Sequence, residues 1–565
     1  MSRIVLSVPL DALRDQCLDI PLKDTSKNYH IDSEINHGAL PCKYRLIDCI
    51  QYTHHETLVI YEFDDLPPEQ YSAISYIWRG KPADPGSHPQ ESRGTFSVRG
   101  AEDGDPMSMD VLFHACTASL QKNARYLWVD RLCILQKCAT DKAWQIRKMY
   151  GIYKGCDPCL ILPGGIRHLV GIEEETVWIQ RAWTLQEVMA PDNALVLFQW
   201  RHGAGWFHGP VASGDLELVI RGESAVADVM DLCLPYLSGV MGGYTYFVQD
   251  DDEDEDEQAE QVRIKIEPII FGRDRSHVLA LLGIMWGRDP DAVPQAIWRS
   301  ALMRVSSRPV DMVFSIMGLF DVSLDPRAFQ SGDRFAATVA LAQEILRKGG
   351  NASWLVASLH APPERQLSTF PMFPETTVDG KARIRVSGEL KEMTEIVEDE
   401  FLRIWSVKEG TLGGSMDDMG YLTLSSKAVE VQPVPLNDRV EKEHCRCSTA
   451  NSKRVFMKAL DNSVWEACLE KSDSCHRPAP QTLTTRTFAV YMGMALTNPY
   501  ASQPTLQRYI ETYTMLAVVI QEQSPNKFHR ISNMILCHCF EEFIKTWEVH
   551  EVCIGPDTSV RAPGP

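Results

Sequence analysis

Residues 71–78 read YSAISYIW, a mostly apolar stretch that ends in Tyr-Ile-Trp. A short run of this kind is typical of a strand that is buried on both faces, as in a parallel sheet. We therefore predict a first strand over residues 72–78. Two further runs predict strands over residues 126–135 and 159–162, and a fourth is predicted over residues 194–198.

Amphipathic stretches separate these predicted strands. Ser108 is a helix-capping residue type, and apolar residues follow it with helical spacing at Met109, Leu112 and Cys116. A later helix is predicted over residues 178–189, ahead of a proline. Strands that alternate with helices indicate a parallel sheet covered by helices. We therefore predict an α/β fold with a mostly parallel sheet.

Size and charge restrict the class of protein. A chain of 565 residues exceeds what one hydrophobic core serves, so we expect several domains. The net charge of -20 disfavours binding to nucleic acid or to anionic membranes, because both are negative. The longest apolar stretch, residues 278–286, is about half of a membrane span and predicts a buried helix. We expect no nucleic-acid partner and no membrane span.

The cysteines and the N-terminus favour the cytoplasm, or the nucleus, as the location. The sixteen cysteines follow no regular spacing, so we expect reduced thiols rather than a disulfide framework. Cys156 and Cys159 have the spacing of a redox motif, but they follow a predicted helix and open a strand, the reverse of thioredoxin-like sites. No secretion signal is expected, because Asp11 interrupts the first apolar stretch. Other Cys and His clusters match no standard zinc spacing, and we expect no metal site.

Changes in composition predict the domain organisation. Residues 1–43 are predicted to be an N-terminal segment, and residues 44–200 form the α/β domain. Residues 201–360 are predicted to be mostly helical, with an acidic disordered insertion at residues 249–261 that contains eight consecutive acids. A proline-rich loop follows. Residues 381–565 are predicted to form a β-rich C-terminal domain.

Three sequence blocks resemble the fungal heterokaryon-incompatibility (HET) domain family. The first is YSAISYIW, similar to a family strand that ends in Ser-Tyr-x-Trp-Gly, except that Arg79 precedes Gly80. The second is LWVDRLCILQ at residues 127–136, with Leu135 where the family usually has Asn. The third is RAWTLQE at residues 181–187, which resembles Arg-x-Trp-Thr-x-Gln-Glu without departure.

The resemblance implies a fungal source and a role in nonself recognition, in which the domain promotes programmed cell death after incompatible cells fuse. HET domains resemble Toll/interleukin-receptor (TIR) domains, which implies a TIR-like or flavodoxin-like sheet and signalling through a protein partner or self-association. Some TIR domains hydrolyse NAD with a late glutamate, and Glu187 is in register with it. The alternatives are a NAD glycohydrolase, with NAD as substrate and no other cofactor, and a degenerate non-toxic binding protein, which the changes at Arg79 and Leu135 allow.

The candidate site combines residues of the three blocks. In an open parallel sheet a nucleotide binds where the strands end. Loss of nicotinamide leaves a positive centre that a carboxylate stabilises, and Glu187 is the candidate catalytic residue by the TIR resemblance. Asp130 needs a partner if it is buried, and Arg131 or Arg181 is available. For both carboxylates the alternative is a structural ion pair. The remaining candidates for a nucleotide or partner site are Ser75, Tyr76, Trp78, Gln136, Arg181 and Trp183.

Overall fold

The computed structural model divides the chain into two compact units. Unit 1 comprises residues 1–278 and 314–328, and unit 2 comprises residues 279–313 and 329–565. The structure describes residues 2–23, 38–80, 93–210, 212–238, 244–248, 263–285, 292–376, 380–386, 388–397, 404–408, 412–434, 454–468, 485–497 and 512–557.

Twelve of the described strands of unit 1 form one sheet. The strands of the unit are β1 (Ser2–Pro9), β2 (Cys17–Leu18), β3 (Tyr44–Asp48), β4 (Thr57–Phe63), β5 (Tyr71–Tyr76), β6 (Thr95–Val98), β7 (Met107–Ser108), β8 (Tyr126–Trp128), β9 (Cys159–Leu162), β10 (Ala194–Gln199), β11 (Gly205–His208), β12 (Ser213–Ile220), β13 (Ser224–Asp228), β14 (Tyr244–Val248) and β15 (Arg263–Ile266). The sheet order is β1-β4-β3-β8-β5-β9-β10-β13-β12-β11-β14-β15, and β2, β6 and β7 form a separate small sheet.

The large sheet is mixed, with a parallel centre, so the prediction of a mostly parallel sheet is correct only for that centre. The pairs β8–β5, β5–β9 and β9–β10 are parallel. The neighbours on either side, β3 and β13, pair antiparallel with this centre. These four parallel strands are the four that the sequence predicts, and every residue of β5, β8 and β9 is buried. Because both faces of these strands are covered, each strand is a continuous apolar run, and this pattern predicts them from the sequence.

The described helices of the chain connect and cover the strands. They are α1 (Cys49–His54), α2 (Met109–Gln121), α3 (Asp130–Cys133), α4 (Ala139–Gly155), α5 (Ala182–Met189), α6 (Val229–Cys233), α7 (Arg275–Met285), α8 (Val293–Leu302), α9 (Asp311–Met317), α10 (Arg334–Arg347), α11 (Met393–Ile396) and α12 (Glu541–Lys545). Ser108 caps α2 as predicted, since its hydroxyl accepts a hydrogen bond from the N–H of Val111 at 3.3 Å. None of these helices combines the length and apolar character that crossing a membrane requires.

The parallel strands place helices on both faces of the sheet. The chain runs from β5 through α2 to β8 on one side, and then through α4 to β9 on the other side of β5. Because such crossovers are right-handed, the two helices lie on opposite faces. Consistently, α2 packs with α1, and α4 packs with α5.

Two predicted regions differ in type of secondary structure. The predicted strand over residues 126–135 ends at Trp128, and Asp130 begins the helical turn α3. Where the pattern predicts helices after residue 201, β11, β12 and β13 extend the sheet instead. β11 and β13 are short and β12 is exposed on alternate residues, so their stability depends on the neighbouring strands more than on local propensity.

Further predictions concern an apolar stretch, an acidic insertion and two domain boundaries. The apolar stretch at residues 278–286 lies in α7 as far as Met285, and its described residues are mostly buried, as predicted. The acidic insertion predicted at residues 249–261 lies outside the described residues. The boundaries after residues 43 and 200 stay predictions, and both fall between strands of the large sheet.

Unit 2 is rich in β-structure, as predicted for the C-terminal region. Its described strands are β16 (Glu375–Thr376), β17 (Ala382–Val386), β18 (Glu389–Glu392), β19 (Ile404–Lys408), β20 (Gly414–Met416), β21 (Leu422–Val434), β22 (Phe456–Lys458), β23 (Val464–Ala467), β24 (Thr487–Thr497), β25 (Thr512–Ser524), β26 (Lys527–Cys537) and β27 (Glu548–Ile554). Pairing runs from β24 through β25, β26, β27 and β21 back to β24, which closes a barrel.

Asp231 on α6 makes the stability of unit 1 dependent on pH. Burial, followed by the carboxylates of Asp228 and Asp215, raises the pKa of Asp231 to about 6. Because this pKa exceeds the unfolded value of about 4, protonated Asp231 favours the folded state, and that contribution is lost as the pH rises from about 4 to 6. Since the side chain is only half buried, Asp231→Asn should raise the free energy of unfolding by about 1 kcal/mol at pH 7.5.

The test is urea unfolding at pH 4.5 and 7.5, and we expect the stabilisation by Asp231→Asn to be much smaller at the lower pH. Asp192→Asn is the control, because Asp192 is an exposed carboxylate paired with Lys154. An equal effect of Asp231→Asn at both pH values would contradict the titration.

Candidate functional site at the strand ends

The strand order reverses beside β5, where β8 lies on one side and β9 on the other. In α/β sheets such a reversal leaves a crevice at the ends of the strands, where ligands bind. Here the loops after β5 and β9 approach closely, since a Cβ on Gly80 would lie 2.1 Å from the carbonyl oxygen of Gly164. Gly165 has a φ of +93°. Glycine permits both the close approach of the loops at Gly80 and the positive φ at Gly165, so the two loops can lie side by side at the crevice.

Glu187 is hydrogen bonded to Ser75 inside unit 1. The hydroxyl of Ser75, on β5, donates to Oε2 of Glu187 at 2.5 Å. The indole N–H of Trp178 donates to the same hydroxyl oxygen at 2.9 Å. Glu187 is 8% exposed, and α5 packs on β5 and β9. One hydroxyl therefore joins the first and third sequence blocks.

The carboxylate of Asp130 is held by two aromatic side chains. The phenol of Tyr76 donates to Oδ1, and the indole N–H of Trp78 donates to Oδ2 at 2.9 Å. The backbone N–H of Arg131 also donates to Oδ1, at 2.6 Å, whereas its guanidinium donates to the carbonyl oxygens of Trp78 and Asp105. Neutral donors thus bind this carboxylate where the sequence suggested an arginine side chain. The same bonds join the first and second blocks.

Glu187 and Asp130 both raise the pKa of two buried tyrosines, Tyr76 and Tyr153. Burial raises the pKa of Tyr76 well above its usual range, and both carboxylates raise it further. Burial, then Glu187, and also Asp130 raise the pKa of Tyr153, whose hydroxyl donates to the carbonyl of Ile74 at 2.9 Å. Both phenols therefore stay protonated at neutral pH and act as hydrogen-bond donors.

These hydrogen bonds bring six of the eight candidate residues into two groups. The groups are Ser75 with Glu187, and Asp130 with Tyr76, Trp78 and Gln136. Gln136 belongs to the second because its amide donates to the carbonyl oxygen of Asp130 at 2.9 Å. Arg181 and Trp183 lie at the start of α5. The carbonyl of Arg181 accepts from Thr184 at the start of α5, and Trp183 is partly exposed on that helix.

A cleft of about 250 Å³ opens beside the second block. It is lined by Asp19, Ile20, Pro21, Leu22, Val98, Arg99, Ile134, Leu135, Gln136, Lys137 and Cys138. Gln136 is the candidate residue that lines it, together with Leu135, which stands where the family usually has Asn. Glu187 and Trp78 are not among the lining residues. The cleft is slightly smaller than most small-molecule sites, which begin at about 300 Å³.

Sequence reasoning missed two residues that organise the site, Trp178 and Asp105. The carboxylate of Asp105 accepts a hydrogen bond from the N–H of Gly80 at 2.6 Å, and its own N–H donates to the carbonyl of Trp78 at 2.8 Å. Trp178 and its partner Ser75 are 103 residues apart, and Asp105 and Gly80 are 25 residues apart. No local spacing marks such pairs, so only the fold identifies them.

The Cys156 and Cys159 thiols are both buried and free. Burial, together with a hydrogen bond to Cys156, raises the pKa of Cys159 well above its usual range. A reactive redox thiol needs a lowered pKa, so Cys159 has the properties of a core residue.

Comparison with known families relates the first two blocks to a single family. Residues 71–168 match the family described as heterokaryon incompatibility protein (HET). The third block, with Glu187, follows the matched residues. No curated protein and no solved structure matches the chain. The chain therefore contains a heterokaryon incompatibility (HET) domain that includes residues 71–168.

Proposed function

We propose that the protein acts in fungal heterokaryon incompatibility and promotes programmed cell death through its HET domain, in the cytoplasm or nucleus. The observation that carries the proposal is the set of hydrogen bonds that join the three blocks to one another. Ser75 binds Glu187, and Tyr76 and Trp78 bind Asp130, so residues of the first block connect the other two. In this proposal the HET domain extends over residues 44–200 and includes the third block.

A TIR-like or flavodoxin-like core is part of the proposal. Numbered along the chain, the parallel strands β5, β8, β9 and β10 lie in the order 2-1-3-4. This is the beginning of the flavodoxin-like order, in which ligands bind between the first and third strands. The loops of Gly80 and Gly164 lie at that point. The domain would signal by binding a protein partner or a second copy of itself beside these loops.

NAD hydrolysis through Glu187 is the second candidate, favoured by the two carboxylates beside the crevice. Glu187 would stabilise the positive charge that develops on the ribose as nicotinamide leaves. Against it, Glu187 is 8% exposed, is bound to Ser75 and lies outside the described cleft. A substrate would have to separate that hydrogen bond. Signalling through contacts is therefore the first proposal.

Arg79 and Leu135 depart from the family pattern, but both groups of the site are formed in their presence. Arg79 is exposed, and its guanidinium donates to the carbonyl of Asp103 at 2.8 Å. Leu135 is buried, and its N–H donates to the carboxylate of Asp141 at 2.9 Å. Neither contact involves Ser75 or Glu187, which favours a functional domain over a degenerate one.

Expression in budding yeast tests the proposal, with growth and cellular NAD followed together. We expect the wild-type chain to arrest growth while NAD stays constant. Glu187→Gln should behave in the same way, because the amide oxygen still accepts from Ser75. Glu217→Gln is the matched control on an exposed glutamate that pairs with Lys122.

The outcomes separate the candidates. Loss of NAD with the wild type and with Glu217→Gln, but not with Glu187→Gln, would replace signalling by NAD hydrolysis. Normal growth of cells that accumulate the soluble wild-type chain would contradict both active proposals and favour the degenerate form.

A further inference from the structure

Two cysteines of unit 2 lie side by side at the end of β26. Cys537 is the last residue of that strand, and Cys539 lies in a short 3-10 helix, His538–Phe540, that leads into α12. Both are thiols rather than the halves of a disulfide. The thiol of Cys537 donates a hydrogen bond to the sulfur of Cys539, with the two sulfur atoms 2.9 Å apart. A Cys-x-Cys sequence therefore places two thiols in direct contact.

The backbone at this point has the geometry that a disulfide between the two cysteines requires. The residue between them, His538, is helical. A helical residue places the Cα atoms of its two neighbours about 5–5.5 Å apart. Disulfides join Cα atoms that are about 4.4–6.8 Å apart. The sulfur atoms can therefore form a bond with little movement of β26 or of α12.

Exposure distinguishes this pair of thiols from the pair in unit 1. Cys156 and Cys159 are also joined by a hydrogen bond, but they are at most 3% exposed. Cys537 and Cys539 are both partly exposed. A reagent in solution oxidises a thiol that it can reach, and a second thiol beside the first completes the disulfide. Only the pair at the end of β26 meets both conditions among these four cysteines.

We propose that Cys537 and Cys539 form a reversible disulfide, with a low-molecular-weight disulfide such as oxidised glutathione as the oxidant. The thiolate of one cysteine attacks a sulfur atom of oxidised glutathione, which releases one glutathione and leaves a mixed disulfide. The other cysteine loses its proton and attacks the cysteine sulfur of that mixed disulfide, which releases the second glutathione. The pair thereby loses two electrons and two protons, and both pass to the two glutathione thiols.

The bond is a modification and not a structural support. It closes a loop with one residue between the cysteines, and so short a loop restricts the unfolded chain little. An exposed disulfide in a small ring is also readily reduced, so an excess of reduced glutathione opens it again. Transient disulfides of this kind occur in compartments that keep other thiols reduced. The proposal is thus compatible with the reduced thiols that the sequence predicts.

Mass spectrometry of the full chain tests the proposal, because trypsin places each pair of thiols in one peptide. Residues 531–545 contain Cys537 and Cys539, and residues 155–167 contain the buried pair. The native chain is incubated with oxidised glutathione, its remaining thiols are alkylated in denaturant, and it is digested. We expect peptide 531–545 to lose two hydrogen atoms and both alkylation sites at least about ten times faster than peptide 155–167. Excess reduced glutathione should restore both sites.

Two controls accompany the comparison of the two peptides. Cys537→Ser should stop at a mixed disulfide between Cys539 and glutathione, because the second thiol is missing. Cys17→Ser removes an exposed cysteine of unit 1 and should leave the oxidation of peptide 531–545 unchanged. Equal rates for the two peptides in the native wild-type chain would overturn the proposal. So would a wild-type peptide 531–545 that keeps both alkylation sites or that retains glutathione in place of the internal bond.

Discussion

Replacing Arg45 with methionine is expected to lower the free energy of unfolding of unit 1 by about 3–5 kcal/mol, because it leaves the buried carboxylate of Asp141 without its cationic partner. Arg45, on β3, is fully buried. Its guanidinium pairs with the equally buried Asp141 and with Glu62 at 3.4 Å. It also donates to the carbonyl oxygens of Leu40 and Cys133, at 2.8 Å each. One side chain therefore connects β3, β4, α3 and α4.

Urea unfolding followed by circular dichroism measures this loss. Lys43→Met is the control, because Lys43 forms an ion pair with Asp64 on the surface and should leave the curve nearly unchanged. Adding Asp141→Leu to Arg45→Met should recover part of the loss, since the second change removes the buried charge. A loss no larger than that of Lys43→Met would contradict the expected role of the pair.

Trp128→Ala should cost about 3–5 kcal/mol through the cavity that it leaves in the parallel centre of the sheet. Trp128, on β8, is fully buried, and its ring packs edge-on against Tyr153 at 5.5 Å between centroids. Its indole N–H has no hydrogen-bond partner among the described residues. Trp128→Phe should therefore cost much less, because it keeps most of the ring volume and loses no hydrogen bond.

The two variants are compared by the same urea unfolding. Comparing the two losses in the free energy of unfolding separates the contribution of the ring volume from that of hydrogen bonding. Equal losses for Trp128→Phe and Trp128→Ala would contradict the packing argument and would indicate that the indole N–H makes an essential bond.

The parallel centre of the fold could be predicted because its signals are local. The strand β9 has the predicted bounds, and β5 differs from the prediction by one residue at its start and two at its end. Burial on both faces makes each strand apolar throughout, which one sequence reveals. The capping hydroxyl of Ser108 is a similar local signal.

The partners of the site residues could not be predicted from local patterns. Asp130 was predicted to lie in a strand, since its neighbours are apolar. In the structure it begins α3, and Tyr76 and Trp78, more than fifty residues away, supply its donors. Ser75 and Glu187 are 112 residues apart. Sequence spacing identifies blocks and residue types, whereas the hydrogen bonds between blocks depend on the order of strands in the sheet.

The parallel centre of the sheet is flanked by strands of the same chain. The backbone of β8 is paired with β3, and that of β10 is paired with β13. The centre therefore offers no edge, and a second molecule cannot join it by adding a strand. A partner that binds beside the parallel centre would therefore contact side chains of its helices and loops. Substitutions on those helices and loops would then alter such binding and leave the strands of the centre unchanged.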